Sequence, residues 1–406
     1  MERLTRDPSQ RPSTQAVSRR DLLIASGLGV TVTAWTPAVS WAGAAPRTSQ
    51  RRGDLDTDLR ALMREARVPG LAACIVKDGA IAWARGYGHA NIAHDRPATP
   101  DTLFMLASIS KTVMAVAVMQ AVEDGLLDLD ADVNDVMPFA VRNPRHADVP
   151  ITLRMLLTHT SSIRDDWPTI IPFYSHGDSS IALGDYLRRY LAPGGDLYEP
   201  HKSYSSWAPG VRYDYCNLAA SLAGFMVEAA SGTAFDAWCD ARIFTPLAMS
   251  RTGWHLEGLD RSQIAMPYHY RDGEFVAYGQ YGYPDYPDGE LRTSARQLAR
   301  HLMAFMQFGE YAGTRILQES TVREMRRVQD AIVAHGQGLI WYRFALRSMA
   351  LMGHNGGDSG VATQMYFRPM DDVGVIALSN GNWFHEGRVW PLQRIVVRLF
   401  EEADRG

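Results

Sequence analysis

The segment that decides the fold reads Phe104-Met-Leu-Ala-Ser-Ile-Ser-Lys-Thr-Val-Met-Ala-Val-Ala-Val-Met-Gln-Ala-Val122. From Thr112 to Val122 it is apolar on nearly every side of a helix, and Gly125 supplies a helix stop. The pattern predicts a helix that begins near Ser108. A helix without a polar face must be surrounded by protein, so this one is expected to lie in the centre of a large core.

Ser108 and Lys111 lie three residues apart where this helix begins, so the hydroxyl and the amine share one face within mutual reach. A serine needs a neighbouring base before it can attack a carbonyl carbon, and burial lowers the pKa of a lysine enough for it to serve. Backbone N–H groups at the helix start also favour negative charge on the hydroxyl. The alternative is that Lys111 reaches solvent from the helix end. The chain has only three lysines, and one inside an apolar helix is costly to bury, which favours a chemical role.

Two further polar segments could take part in the same chemistry. Tyr215-Cys-Asn217 directly precedes a second apolar helix that begins at Leu218, so the phenol and the amide would lie at a helix entrance. A role for Asn217 as a helix cap is equally consistent with this position. His354-Asn-Gly-Gly357 occurs before a predicted strand, where glycines let a substrate carbonyl or another chain approach the backbone closely. The alternative is a glycine turn with a polar histidine.

In combination, the three elements resemble those of the class C β-lactamase and D,D-peptidase-like serine hydrolases, a family that also includes esterases and D-amino-acid amidases. The Ser-x-x-Lys of the family is matched by Ser108 to Lys111, its Tyr-x-Asn by Tyr215 to Asn217, and its Lys-Thr-Gly or His-x-Gly by His354 to Gly356. The supporting stretches are Ile151-Thr-Leu-Arg-Met-Leu-Leu-Thr-His-Thr160, Ile243-Phe-Thr-Pro-Leu-Ala-Met249 and Gly289-Glu-Leu-Arg-Thr-Ser-Ala295. The resemblance covers nearly all of the chain after residue 44.

The resemblance implies a role for each matched catalytic side chain. Ser108 would be the acylated nucleophile, and Lys111 and Tyr215 would share the proton transfers to and from it. Asn217 would hold the amide of the substrate or the amine of Lys111. Neither a metal nor an organic cofactor is implied, and the zinc hydrolase motif His-Glu-x-x-His is absent from the sequence.

The resemblance also implies that the His354 segment binds substrate. The oxyanion would be held by the backbone N–H groups of Ser108 and Gly357, and Gly356 belongs to the same substrate-binding segment. His354 stands where true β-lactamases have a lysine, and a mostly neutral imidazole attracts a substrate carboxylate less strongly than an ammonium does. The sequence therefore favours an esterase, a D-amidase or a D-peptidase over an efficient β-lactamase.

Strand patterns at both ends of the chain, with helical patterns between them, predict an α+β fold. Strands over residues 70–76 and 80–86 would join strands over 338–345, 363–368 and 373–378 in one antiparallel sheet flanked by helices, including helices over 55–67 and 389–402. The expected organisation is an α/β lobe over about residues 45–107 and 330–406, with an inserted, mainly helical lobe over about 108–329. This is the β-lactamase/transpeptidase-like architecture that the resemblance implies.

Residues 1–44 have the composition of an export signal. Ser18-Arg-Arg-Asp-Leu-Leu23 resembles the twin-arginine pattern, a weakly apolar stretch runs from Leu22 to Trp35, and Ala42-Gly-Ala44 offers a small-residue cleavage site. The apolar stretch is shorter than the ~20 residues that cross a bilayer, which disfavours a permanent membrane anchor. An uncleaved anchor and a disordered tail are the alternatives. The expectation is an exported, periplasmic or secreted protein.

The composition and missing motifs exclude several classes of protein. Lys plus Arg number 41 against 45 Asp plus Glu, and the net charge of −4 lacks the positive footprint of a nucleic-acid-binding protein. The three cysteines are too few for a disulfide scaffold and lack zinc-site spacing. Cys74 is expected to be a buried, inert thiol, and Cys216 is not expected to act as a nucleophile. The sequence contains no Gly-x-Ser-x-Gly elbow, which argues against an α/β-hydrolase.

The sequence thus predicts an exported serine hydrolase that forms an acyl-enzyme on Ser108 and cleaves an ester or amide in a small or peptide-like substrate. β-Lactamase and D-alanyl-D-alanine carboxypeptidase activities are alternatives within the same mechanism. An alternative of another class is a penicillin- or peptidoglycan-binding module that does not turn over. Specificity would lie in two loops rich in Tyr, Trp, Asp, Pro and Gly, which run from Arg164 to Trp207 and from His269 to Asp288.

Overall fold

The computed structural model describes residues 54–382 and 390–405, so the predicted signal at residues 1–44 lies outside the described residues. The α-helices are α1 Leu55–Ala66, α2 Ser110–Glu123, α3 Leu153–Leu157, α4 Trp167–Ile170, α5 Leu183–Leu191, α6 Pro200–Ser203, α7 Asn217–Ser231, α8 Phe235–Cys239, α9 Ala295–Met306, α10 Glu319–Arg326 and α11 Trp390–Ala403. The strands are β1 Gly70–Lys77, β2 Ala80–Asn91, β3 Arg96–Pro97, β4 Phe104–Met105, β5 Ser175–His176, β6 Tyr268–Arg271, β7 Glu274–Ala277, β8 Tyr281–Gly282, β9 Arg292–Thr293, β10 Glu310–Tyr311, β11 Thr314–Arg315, β12 Tyr342–Leu346, β13 Met349–Asp358, β14 Val361–Arg368 and β15 Val373–Ser379.

Seven of these strands form the main sheet in the order β12-β13-β14-β15-β1-β2-β3, and all neighbouring strands are antiparallel. The strands from the two ends of the chain meet where β1 pairs with β15, from Leu71 opposite Ser379 to Val76 opposite Gly374. The predicted α+β fold, with an antiparallel sheet built from both ends of the chain and flanked by helices, is therefore confirmed.

Helices cover both faces of this sheet, which explains why β1 and β15 are buried along nearly their whole length. Side chains on a strand alternate between the two faces. The odd-numbered residues of β1 from Leu71 to Ile75 pack in a core with α1 and α11, and the even-numbered residues from Ala72 to Val76 join the core around α2 and α9. A strand that is buried on both faces reads as a continuous apolar run, as β1 does.

Helix α2 crosses the centre of the larger core. A 3₁₀ turn, Ala107–Ile109, precedes it, and every residue from Ser110 to Ala121 is buried. After the helix ends, Gly125 takes a positive φ of 71°, a conformation that glycine adopts without steric cost. The central, fully surrounded helix that the sequence predicts is thus present, with the start that was expected near Ser108.

The segment between the two halves of the sheet contains helices α2 to α10 and also short strand pairs that the sequence pattern did not predict. The pairs are β4 with β9, β5 with β8, β6 with β7, and β10 with β11. The boundaries of the two lobes, at residues 107/108 and 329/330, stay predictions. Among the described helices, none alone is long and apolar enough to span a membrane. Helix α7 and the segment Phe235–Phe244, bent by 86° to each other, meet the criteria of length and composition only as a pair.

The segment from His354 to Gly357 corrects one detail of the sequence analysis. It was expected before a strand, and it lies inside β13, where it pairs with β14. The strand pattern predicted from residue 338 begins instead at Tyr342. Glycines weaken the strand pattern of a sequence because they contribute no side chain to pack. Here the small size of Gly356 permits a close approach to the main chain of Leu106.

Candidate active site

Ser108 lies on a turn that several backbone contacts hold in place. The preceding residue, Ala107, has a positive φ of 48°, an uncommon conformation for a residue with a side chain. Leu106, which precedes Ala107, donates its N–H to the main-chain oxygen of Leu291 at 2.8 Å. The main-chain oxygen of Leu106 accepts the hydroxyl of Thr363 at 2.6 Å. The turn therefore presents Ser108, which is partly exposed, at the edge of β13 and at the start of α2.

Lys111 is fully buried one turn further along, and its amine has three close partners. Its Nζ lies 3.1 Å from Ser108 Oγ, 2.7 Å from Asn217 Oδ1 and 2.7 Å from the main-chain oxygen of Asp288. Burial lowers the pKa of the Lys111 ammonium below its usual value, and nearby carboxylates, that of Asp288 foremost, oppose this effect. The alternative that Lys111 reaches solvent from the helix end is wrong.

Tyr215 stands beside the pair formed by Ser108 and Lys111. The ammonium of Lys111 lies 5.2 Å from the centre of its ring. Its hydroxyl oxygen is buried and makes no hydrogen bond of good geometry to any residue of the described ranges. Burial raises the pKa of the phenol, and the adjacent Ser108 acts in the opposite direction. The phenol is thus a proton-bearing group within reach of the serine that no other protein group has already engaged.

The ring of His159 packs against the ring of Tyr215. The two ring centres are 4.3 Å apart, and His159 Nδ1 accepts the N–H of Cys216 at 3.3 Å. Burial holds the pKa of His159 well below its usual value, so the ring is neutral at neutral pH. These contacts hold the His159 ring against the phenol, which is a structural role.

Asn217 is oriented by Asp165, a residue that sequence analysis missed. Asp165 Oδ2 accepts both the main-chain N–H of Asn217 at 2.8 Å and its Nδ2 at 2.9 Å, so Asn217 Oδ1 faces Lys111. Asp165 Oδ1 accepts the N–H of Leu218 at 3.1 Å. The carboxylate therefore occupies the N-terminus of α7, where negative charge is favourable. The N-cap position itself belongs to Cys216, so the alternative role of Asn217 as the cap is wrong.

Replacing Asp165 with alanine is expected to lower both stability and activity. The substitution frees the N–H groups of Asn217 and Leu218 and releases the amide that faces Lys111. Loss of a helix-capping carboxylate costs about 1 kcal/mol of unfolding free energy. We expect kcat to fall more than KM changes, measured with a chromogenic ester alongside urea denaturation. Asp166→Ala, which removes the neighbouring carboxylate with its bond to Thr169, is the matched control. Equal losses in both variants would contradict a specific role for Asp165.

Two buried acids, Asp285 and Asp288, flank Lys111 and were also missed. Asp288 Oδ1 lies 3.8 Å from Lys111 Nζ, and its Oδ2 accepts the hydroxyl of Ser221 at 3.2 Å. Burial raises the pKa values of both carboxyl groups, and repulsion between them adds to the effect for Asp285. They lie in a Pro- and Asp-rich loop, a composition that is also typical of a solvated connection, so the sequence carried no signal for their burial.

His354 lies on the opposite side of Tyr215. The centres of the two rings are 6.3 Å apart, and the ring of Tyr342 packs 5.2 Å from that of His354. His354 Nδ1 donates to the main-chain oxygen of Asn355 at 2.6 Å. Burial lowers the pKa of His354 to about 3. The side chain is therefore neutral at physiological pH, as the sequence analysis assumed when it weighed β-lactamase activity.

Gly356 brings β13 against the turn that carries Ser108. A Cβ atom on Gly356 would collide with the main-chain oxygen of Leu106 and the hydroxyl of Thr363, and would lie 3.0 Å from Ser108 N. Only glycine permits this approach. Strand β12 pairs with β13 no further than Gly353, so the edge of β13 at Gly357, which is exposed, is not covered by β12. The residues predicted to bind the oxyanion thus lie on adjacent segments.

The two loops in which substrate specificity is expected to lie contact each other. Strand β5 of the first loop pairs with β8 of the second. The ring of Tyr174 packs 4.6 Å from that of Tyr283, and both join a small cluster with Ala107, next to Ser108. Burial raises the pKa of nearby Asp358, which follows Gly357, to about 6. Tyrosines therefore form one wall beside the nucleophile.

Together these elements form a candidate active site in a protein with the β-lactamase fold. A family model described as Beta-lactamase matches residues 55–397. The chain belongs to the beta-lactamase family, which confirms the resemblance seen in the sequence at this level. The assignment to class C and the roles of individual motif residues stay predictions.

Two curated relatives are similar to parts of this chain. Esterase EstB of Burkholderia gladioli is 33% identical over 225 residues, which is 54% of this chain and 55% of the esterase. Protein flp of Staphylococcus aureus (strain MRSA252) is 23% identical over 336 residues, 82% of this chain and 64% of that protein. The match thus spans between half and two thirds of the length of each relative.

Solved structures of similar proteins agree with the fold. A penicillin-binding protein homologue from Pyrococcus abyssi, described as octameric, superposes on this protein with a TM-score of 0.65 at 25% sequence identity. The superposed part is 86% of this chain and 77% of the homologue. A D-amino acid amidase from Ochrobactrum anthropi SV3, complexed with L-phenylalanine amide, gives a TM-score of 0.69 at 22% identity, with 86% and 100% coverage. The likeness to the amidase shows the fold alone.

Proposed function

We propose that the protein is an exported serine hydrolase that forms an acyl-enzyme on Ser108 and hydrolyses an ester or an amide. The observation that carries the proposal is the fully buried Lys111, whose amine lies 3.1 Å from Ser108 Oγ and is held by two other oxygens. A buried lysine without a chemical role would be a costly feature of the core. The relationship to esterases and the fold shared with a D-amino acid amidase support this reaction class.

The partners of Lys111 suit it to act as a general base. A neutral amine has two N–H groups and one lone pair. Asn217 Oδ1 and the main-chain oxygen of Asp288 accept the two N–H groups, so the lone pair is directed at the hydroxyl of Ser108. Lys111 would take the serine proton as Ser108 Oγ bonds to the substrate carbonyl carbon. Two fixed acceptors thus orient the base for proton transfer.

The remaining steps use Tyr215 and the glycine strand. The backbone N–H groups of Ser108 and Gly357 would stabilise the tetrahedral oxyanion. Tyr215, whose raised pKa keeps it protonated, would donate a proton to the leaving alcohol or amine and recover one from Lys111. The same pair would then deprotonate a water molecule as its oxygen attacks the acyl carbon, and would pass that proton to Ser108 Oγ as the bond between Oγ and the acyl carbon breaks and the acid leaves.

The neutral His354 favours ester or amide substrates over β-lactams that are bound through a carboxylate. An ammonium at this position would attract that carboxylate, whereas a neutral imidazole offers at most a hydrogen bond. β-Lactamase or D-alanyl-D-alanine carboxypeptidase activity is the second candidate, supported by the family. Export rests on the twin-arginine-type pattern in residues 1–44 and remains part of the proposal.

The proposal is tested with protein that begins near Ala45, treated in parallel with a fluorescent penicillin and with p-nitrophenyl butyrate. We expect many ester turnovers per protein molecule, slow release of the penicillin, and a covalent adduct that peptide mass mapping assigns to Ser108. Rapid penicillin turnover would identify a β-lactamase instead. A stoichiometric burst without turnover of either probe would indicate the non-hydrolytic binding module. An adduct at another residue would contradict the mechanism.

A further inference from the structure

Three side chains that can bind metals lie together outside the site of Ser108. One ligand atom from each of Asp178, His255 and Glu290 lies within 4.8 Å of the other two. They come from three separate segments, which precede α5, follow α8 and precede β9. An imidazole with two carboxylates is a donor set that zinc accepts. Because the three residues have no regular spacing in the sequence, no motif indicated this cluster.

Glu290 is the buried member of the cluster, and one of its carboxyl oxygens makes no hydrogen bond within the described part of the chain. It is 1% exposed, its Oε1 accepts the main-chain N–H of Tyr283, and its Oε2 has no hydrogen-bond partner among residues 54–382 and 390–405. The guanidinium of Arg292 lies 3.7 Å from Oε2. Its terminal nitrogens instead donate to the main-chain oxygens of Trp254, Tyr281 and Glu290. A buried carboxylate oxygen without a donor is unfavourable, and a bound cation would satisfy it.

The other two ligands are held in position by contacts that need no ion. The carboxylate of Asp178 accepts the main-chain N–H groups of Leu256 at 2.6 Å and Glu257 at 2.9 Å. These two residues directly follow His255, so the two hydrogen bonds hold Asp178 beside it. The ring of His255 packs 4.6 Å from that of Tyr286. Outer contacts of this kind orient metal ligands before the metal binds. The cluster is therefore a preorganised one.

One member of the cluster, His255, lines a cavity of about 300 Å³, together with Tyr283, Tyr286 and Glu228 among other residues. The side chain of His255 is 33% exposed. A partly open site leaves room for a water molecule to complete the coordination of an ion.

We propose that Asp178, His255 and Glu290 bind one zinc ion, with water as a further ligand. The ion joins three segments that are distant in sequence. Glu290 follows Asp288 by two residues, so the ion also stabilises the segment whose carbonyl oxygen contacts Lys111. Its role is structural, and no step of the reaction at Ser108 requires it.

The test uses the untagged chain after dialysis against a chelator. Isothermal titration with zinc chloride is expected to give one site per chain, and zinc is expected to raise the Tm. Glu290→Gln and His255→Ala are each expected to weaken binding at least about tenfold and to reduce the rise in Tm. Glu228→Gln is the matched control, because Glu228 lines the same cavity but does not belong to the cluster. This variant is expected to bind zinc with the affinity of the unmodified chain.

Substitution of Co²⁺ for Zn²⁺ identifies the ligands directly. Visible absorption without a sulfur charge-transfer band is expected, since the cluster contains no thiolate, and Glu290→Gln is expected to weaken it. The inference is overturned if millimolar zinc neither binds nor raises the Tm of the unmodified chain. Equal affinity in Glu290→Gln, His255→Ala and the unmodified chain would also overturn it, as would a thiolate band that places the ion at a cysteine. Because His255 is partly exposed, its alanine variant is expected to fold.

Discussion

Ser108→Ala is expected to abolish ester turnover and covalent labelling while leaving the fold intact. Ser108 Oγ is the atom that would bond to the acyl group, so its removal leaves only substrate binding and the oxyanion donors. Loss of a nucleophile of this kind lowers kcat by about 10³-fold or more. The side chain is only partly buried, and its Oγ lies 3.1 Å from Lys111 Nζ. We therefore expect the circular dichroism spectrum and the Tm to remain close to those of the unmodified protein.

Ser110→Ala is the matched control for this experiment because Ser110 lies in the same motif and is fully buried. Its hydroxyl accepts the main-chain N–H of Leu291 at 3.2 Å, whereas the described partners of the Lys111 amine are Ser108, Asn217 and Asp288. Loss of that hydrogen bond is expected to cost about 1 kcal/mol of stability but to leave labelling at Ser108. Labelling that persists in Ser108→Ala and disappears in Ser110→Ala would show that the wrong serine has been assigned.

The parts of the fold that could be predicted are those in which the sequence pattern and the burial agree. Helix α2 is apolar on every side because protein surrounds it, and β1 is a continuous apolar run because helices cover both faces of the sheet. The strand β13 escaped prediction for the opposite reason. Its residues near Gly356 pack through the main chain rather than through side chains, so the sequence has no apolar pattern there to recognise.

The candidate site also contains residues that the sequence could predict and residues that it could not. Ser108 and Lys111 lie on one helical turn, so their spacing was enough to bring them together. Asp165 and Asp288 contact the same group of side chains from loops, and their contacts span 52 and 177 residues of sequence. Local spacing carries no information about such contacts. The zinc cluster proposed above is a third example, because its ligands are neighbours only after the chain has folded.

Lys111→Met is expected to lower kcat by about 10²- to 10⁴-fold, the usual contribution of a general base. Methionine is close in length to lysine and suits the apolar surroundings of α2, so the fold should be retained. Labelling of Ser108 by the penicillin should slow by a similar factor, which stopped-flow fluorescence measures. Unchanged acylation with slow release of the acyl group would restrict Lys111 to the second half of the reaction. Lys202→Met, which removes an exposed lysine paired with Glu199, is the control for the loss of one positive charge.

The pH dependence of kcat/KM distinguishes a proton-accepting Lys111 from one that acts as a fixed cation. Lys111 can accept a proton only when it is neutral, so kcat/KM is expected to rise with pH through the lowered pKa of this group. The Asp288 carboxylate raises that pKa, and Asp288→Asn removes its charge while it can keep the hydrogen bond from Ser221. The rise is therefore expected to move to lower pH by about one unit in Asp288→Asn. A rise that disappears in this variant would instead belong to the Asp288 carboxyl group, whose own pKa burial raises. Activity that increases toward low pH would show that Lys111 works as an ammonium and would transfer the role of base to Tyr215.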